Sequence, residues 1–285
     1  MNIRTDLALE QKETREGNIE GIESSVKKQG DITVTRIRVL NEKGAAALNK
    51  GIGDYITVEI PPIDRHGGAF EETVQILSDE LRALLGDISG TVLVVGIGNT
   101  AITPDALGPK TALGILATRH ISRELSAQIG LSGLKSVAVL SPGVLGQTGM
   151  ELQEIVRGAT ENIKPCAVIA VDALAARRVS RLGRTVQLSN SGISPGSGVD
   201  NARKELSQAT LGVPVIAVGI PTVVDAATLI YDFCGHTAQK GDNQNMIVTP
   251  KEIDLMIDRA AELLSFSINT CLQPHIDPEI IRALV

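Results

Sequence analysis

A chain of 285 residues that is 43% hydrophobic but only 2% aromatic, with no tryptophan, builds its core from Val, Ile, Leu and Ala, the palette of buried parallel strands covered by helices. Its formal charge of −6 excludes a nucleic-acid binder that works through a broad basic surface, and no apolar run reaches membrane-spanning length. Cys166, Cys234 and Cys271 are scattered without a CxxC pair, which excludes a cysteine-built zinc site and, with a polar N-terminus carrying no secretion signal, predicts a soluble cytoplasmic protein.

In chain order, residues 1–30 read as loosely structured apart from a short helix around 7–14. Residues 32–40 alternate (Ile32, Val34, Ile37, Val39) with a slip at Thr35 and Arg36, which predicts a strand. A short helix is expected at 44–48 and a second strand at 55–60, stopped by Pro61 and Pro62. Helical spacing at Val74, Leu77, Leu81, Leu84 and Leu85 predicts a helix over 70–85 that ends at Gly86. A strand–helix rhythm follows. Strands are expected at 91–96, 136–140, 167–171, 185–188 and 213–220. Helices fit 111–125, 149–162, 201–209, 223–233 and 250–270, and residues 235–245 form a polar segment. Alternation with crossover-sized helices predicts an α/β domain: a mostly parallel sheet flanked by helices on both faces, with additional N-terminal strands.

The most informative stretch is VLVVGIGNTAITPDALGPKTA, residues 92–112. An apolar run ends in Gly96-Ile97-Gly98-Asn99, where glycines permit a sharp turn. Asp105 then follows Pro104, and an apolar helix begins after Pro109. This sets a rigidly held carboxylate beyond the carboxyl end of a central strand, where open α/β sheets place ligands. Gly96, Gly98 and Ala101 also fit a dinucleotide fingerprint. However, Pro104 and Asp105 stand where a pyrophosphate would meet the helix, and no acid ends the next strand to hold a ribose. No cofactor is expected.

Asp172 stands in a matching setting at the end of the strand 167–171. Two acids after two strands of one parallel sheet can converge at its edge. There they would share a proton, leaving one base and one acid to handle water, or bind a divalent metal. Spacing alone equally allows both to be helix N-caps, the better reading for Asp225 and Asp200. His66, His120, His236 and His275 show no ligand spacing. Ser189, Ser191, Ser194 and Ser197 lie in the glycine-rich LSNSGISPGSGVDNAR without a G-x-S-x-G elbow. That loop and residues 141–146 read as cleft walls whose N–H groups face a ligand. Gly98, Asn99, Gly143, Gly192 and Gly196 are the candidate lining positions.

Over nearly its whole length the sequence resembles the germination protease family of spore-forming bacteria. The resemblance is carried by RTDLALE, VVGIGNTAITPDALGP, LSPGVLGQTGMEL, VDALAAR, QLSNSGISPGSGVDNAR, VPVIAVGIPTVVDA and MIVTPKEID. It implies an endopeptidase that starts the degradation of small acid-soluble spore proteins during germination. That enzyme is grouped with aspartic peptidases of a distinct type, and its essential acids map onto Asp105 and Asp172. The resemblance further implies a fold similar to hydrogenase maturation proteases, a homotetramer in the spore core without direct nucleic-acid or membrane partners, and a zymogen that removes its own N-terminal segment. The family cuts after Glu or Asp, before a hydrophobic residue followed by Ala. Asp6-Leu7-Ala8 fits, so residues 1–6 are the expected propeptide and 7–285 a single peptidase domain, with Ile3 replacing the acid preferred upstream of the cut. A helix cap at Thr5 or Asp6 is the plain alternative. An acid before the cut implies a basic subsite, for which Arg177, Arg178 and Arg203 are candidates. Two rival readings stand beside this one: a metal-dependent processing peptidase of the hydrogenase-maturation kind using the same acids as ligands, and a non-catalytic binding module on the same fold.

Overall fold

The computed structural model describes residues 5–15, 17–63, 69–128, 131–196, 204–234 and 246–285. Its first half runs α1 (Ala8–Glu13), β1 (Ile22–Gln29), β2 (Ile32–Val39), α2 (Glu42–Leu48), β3 (Gly53–Glu59), α3 (Ala69–Leu85), β4 (Val92–Gly96), α4 (Leu107–Leu113), α5 (Arg123–Gln128) and β5 (Val137–Leu140). The second half runs α6 (Leu145–Thr148), α7 (Leu152–Ile163), β6 (Ala167–Ala176), β7 (Thr185–Ser189), α8 (Gln208–Leu211), β8 (Val215–Asp225), α9 (Ala226–Cys234), β9 (Ile247–Val248), α10 (Ile253–Leu272) and α11 (Pro278–Leu284).

The strands form one sheet in the order β1-β2-β3-β7-β8-β6-β4-β5, with β9 pairing the end of β8. The α/β class, the helices on both faces and the additional N-terminal strands are as predicted. The sheet itself is mixed. β5, β4, β6 and β8 run parallel, whereas β1, β2, β3, β7 and β9 pair antiparallel. The strand expected at 185–188 thus runs opposite to the parallel set. Its link from β6, residues 177–184, is too short for the helical crossover that a parallel return requires.

One face carries Val92, Val94, Ile169, Val171, Ile216, Val218, Val186 and Leu188 against α3 (Val74, Leu77, Leu81) and α10 (Ile257, Ala260, Leu264, Ile268). The other carries Leu93, Val95, Val168, Ala170 and Val215 against α7 (Leu152, Val156), Leu206 and Leu211. The slip in β2 is a change of face rather than a bulge. Ile32 and Val34 point to the α3 side, while Ile37 and Val39 join Ala8, Leu9, Leu48 and Tyr55 under α1 and α2.

Several boundaries differ from expectation. β1 lies where a loose segment was expected; it is an exposed edge strand carrying Lys27 and Lys28, so no buried face imposes alternation. The helix expected at 111–125 is two: α4 starts earlier and stops at Gly114, where a Cβ would lie 2.7 Å from Ser265 Oγ on α10. At the position of the helix expected over 201–209, only α8 is helical among the described residues, because Leu206 pairs with Ile193 instead. β6 and β8 outrun their predicted ends, so α9 begins only at Ala226. β9 and α11 were not foreseen. No helix among the described residues is long and apolar enough to cross a membrane.

The N-terminal segment is firmly docked. The Glu10 carboxylate, 1% exposed, accepts the backbone N–H groups of Arg177 (2.7 Å) and Arg178 (3.0 Å) and the Thr5 hydroxyl. Arg181 ties Glu13 (2.7 Å) to Glu59 (2.5 Å). Leu7 is fully buried with Leu174, Ala176, Leu182 and Val224. Hydrogen bonds to a charged group contribute about 1.5–3 kcal/mol. Glu10→Gln, which sets an amide donor against one of the two N–H donors, is therefore expected to lower stability by roughly that amount in urea unfolding.

Candidate active site

The turn after β4 is built by glycines that no other residue could replace. At Gly96 a Cβ would stand 2.2 Å from Gly108 O, and at Gly108 one would stand 2.2 Å from Ile97 O. The start of α4 therefore packs directly on the strand exit. Gly98 has φ of +130°, and a Cβ there would meet Asp105 O at 2.0 Å, a conformation and a space open only to glycine. Asn99 N–H donates to Asp105 O (3.0 Å), and residues Thr103–Asp105 form a single 3-10 turn. Thr222 on β8 closes the far side by donating to Pro104 O (2.8 Å). Asp105 is held on one side by the Asn99 backbone and on the other through the Thr222 hydroxyl.

Asp172 lies within β6 rather than at its end, 5% exposed, and accepts the N–H of Ala173 (2.9 Å). Neither acid caps a helix: α4 follows Ala106 without a side-chain cap, and Asp172 is a strand residue. Asp225, by contrast, caps α9 by accepting from Thr228 N (2.9 Å) and Oγ1 (3.1 Å). β4 and β6 are parallel neighbours, and Ile97 N donates to Val171 O (2.8 Å), so the two acids emerge side by side.

Asp105 and Asp172 line one cavity of about 430 Å³ together with Gly98, Gly143 and Gly196. A second cavity, about 400 Å³, shares Asp6, Asp172, Leu174 and Gly196 with the first and is lined further by Gly192, Ser189, Ser191 and Ser194. The two form a cleft that meets at Asp172. Asn99 borders neither cavity and stands behind Asp105, its side-chain oxygen accepting from Ala101 N and Gln147 Nε2, both at 3.0 Å. Asp172 aligns laterally with Gly219, and Gly219 with Gln187. Between the acid and the amide the strand has no room for a side chain, because a Cβ at Gly219 would lie 2.6 Å from Leu174 Cγ.

Burial raises the Asp105 carboxyl to about 6, opposed by the Asn99 N–H. Asp172 is pushed well above the usual carboxylate range, first by burial and then by the charges of Asp105 and Asp6, against the Ala173 N–H. The more exposed acid ionises first, and its charge holds the proton on the deeper one.

The N-terminal segment enters this cleft. Asp6 N donates to Ala175 O (2.9 Å), and Ala175 N donates to Asp6 Oδ2 (2.8 Å). The Asp6 carbonyl accepts from Lys50 Nζ (2.8 Å) and Gln187 Nε2 (2.9 Å), while Gln187 Oε1 accepts from Ala8 N (2.7 Å). Lys50 and Gln187 were not foreseen. They belong to no motif, and only the register of β7 with β8 and the fold-back of the N-terminus bring them here.

Among the weaker candidates, Arg177 and Arg178 offer their backbone N–H groups to Glu10, Arg178 also faces Glu13 at 3.6 Å, and neither lines the cleft. Ser189 and Ser191 bond each other at 2.8 Å. His120 and His275 lie on the surface. His66, His236, Ser197, Asp200, Arg203 and the polar segment 235–245 lie outside the described residues. Among the described residues no group of three or more His, Cys, Asp or Glu is arranged to hold a metal ion.

Because Gly98 sets the position of Asp105, Gly98→Ala is expected to displace that carboxylate. A misplacement of about 1 Å costs on the order of 100-fold in rate, so an activity that uses this carboxylate should fall by at least that order in the folded variant.

The germination protease family profile matches residues 2–240. The protein called germination protease in Clostridium tetani is 44% identical, covering 99% of this chain and 99% of its own. Those of Caldanaerobacter subterraneus and Bacillus pumilus are 41% and 36% identical, over 100% and 97% of this chain and 98% and 95% of theirs. The match runs through the docked N-terminal segment, the glycine turn and both cleft aspartates, and on it the chain belongs to the germination protease family.

Proposed function

We propose that the chain is an endopeptidase that hydrolyses peptide bonds with Asp105 and Asp172 as its base and acid, opening the degradation of small acid-soluble spore proteins during germination. The observation that carries this reading is the convergence of two proton-retaining carboxylates, from neighbouring strands, on one cleft that also receives an Asp-Leu-Ala segment. Asp105, ionised near neutrality, takes a proton from water as the water oxygen bonds to the substrate carbonyl carbon and the C=O electron pair moves to oxygen. Asp172 then gives its proton to the departing nitrogen as the C–N bond breaks, releasing a carboxylic acid and an amine. A proton passing from Asp105 to Asp172 restores the pair.

The same chemistry turned on the chain's own Asp6–Leu7 bond removes residues 1–6 as a propeptide and leaves 7–285 as one peptidase domain, assembled as a homotetramer. Intact-mass measurement during incubation tests this: the expected product begins at Leu7, and active protein retaining Met1 overturns self-processing. The cleft acids have no third ligand among the described residues. Protein stripped by a chelator is accordingly expected to keep full activity. Loss of activity restored by an added divalent cation would favour the metal-dependent reading.

A further inference from the structure

We infer that Lys50 and Gln187 form the oxyanion site of the reaction, holding the carbonyl oxygen of the residue before the scissile bond while the Gln187 amide also grips the backbone beyond it. The inference rests on the peptidase reading above and deepens it. The Asp6 carbonyl oxygen receives two donors, Lys50 Nζ at 2.8 Å and Gln187 Nε2 at 2.9 Å, both in ordinary hydrogen-bond range. The other end of the same amide accepts Ala8 N at 2.7 Å. One side chain thus spans the Asp6–Leu7 bond from both sides. Leu7 meanwhile fills an apolar pocket, and Asp6 N pairs with Ala175 O at 2.9 Å on β6. A peptide so held cannot slide by one residue without losing these five contacts.

The surroundings suit developing negative charge. Lys50 shares the second cavity with Asp6 and Asp172, and Asp172 aligns with Gln187 across Gly219. The acid and the two donors therefore face the same cavity. Burial lowers the Lys50 ammonium, opposed by Asp6, and an oxyanion formed beside it would, like Asp6, favour the charged form. When water adds to the carbonyl carbon, the electron pair moved to oxygen falls between an ammonium and an amide N–H that are already in place. Removing one such donor costs on the order of 100- to 1,000-fold in kcat.

The test uses the full chain, following self-cleavage by intact mass and cleavage in trans of a synthetic peptide spanning residues 1–14. Lys50→Met keeps the stem and removes the donor. Gln187→Glu keeps an acceptor for the Ala8 N–H and replaces the donor by an anion. Each is expected to lower kcat at least about 100-fold, with KM changed less than about threefold, and with a melting temperature showing a folded chain. If Lys50→Met does not fold, Gln187→Glu decides alone. Unchanged kcat, or a raised KM with kcat intact, overturns the inference. Asp105→Asn in the same assay separates the two levels. An active wild type with a silent Asp105→Asn upholds the peptidase whatever Lys50→Met does. A wild type that cleaves neither itself nor the peptide overturns both.

Discussion

Asp105→Asn and Asp172→Asn are each expected to lower cleavage of a small acid-soluble spore protein by at least about 1,000-fold, within the range for loss of a general acid or base. The substitutions leave the local backbone bonding in place. The amide introduced by Asp172→Asn would keep an oxygen for the Ala173 N–H. At position 105 the backbone bonds through Asn99 and Ile102 do not depend on the carboxyl. Because the two groups act on one water and one nitrogen in sequence, their losses should not add, and the double variant should be about as slow as the worse single. The pH profile carries a second signature. With the Asp105 carboxyl raised to about 6, the rate should climb as pH rises through that value and the base loses its proton. It should fall again once Asp172 ionises and the acid is spent. Incubating both variants with a spore protein and reading fragments on a gel separates this from a non-catalytic binding module, for which neither substitution would matter.

The parallel half of the sheet and its two acids were legible because burial on both faces writes itself as uninterrupted apolar runs. Residues 92–95 and 167–171 could be little else, and the glycines after the first run announced a turn. The strand ends were less legible. β6 continues past Asp172 through Ala173–Ala176, so the acid sits inside a strand whose far half is covered by Leu7 and Val224, and nothing local distinguishes that from a helix start. The edge strand β1 left no pattern because neither face is buried. The alternation slip in β2 was visible, and its cause is a strand that serves two layers in turn. Lys50 and Gln187 were invisible for another reason. Each is an ordinary polar residue, one after a short helix and one in a strand, and their meaning comes from long-range pairing of β7 with β8 and from the return of the N-terminus to the cleft.

Asp172→Asn should also make the protein more stable at neutral pH, with the gain disappearing in acid. Asp172 titrates near 3.8 as an ordinary carboxylate but well above it in the folded chain, chiefly through burial. Between those two values the folded state binds the proton that the unfolded state has released, so stability falls as pH rises across that window. Asn carries no such proton and escapes the penalty. Burying an ion without a counter-ion costs several kcal/mol, and each kcal/mol relieved raises the melting temperature by roughly 2–4 °C in a chain of this size. Thermal melts of the two proteins should therefore coincide near pH 4 and separate progressively towards pH 8, the variant melting higher. Curves that stay parallel over that range would mean Asp172 is not held protonated by its surroundings, and the assignment of acid and base would lose its physical ground. A widening gap would tie the two expectations together: the site gives up stability to hold a proton on a buried carboxyl, and that proton is the one the leaving amine needs.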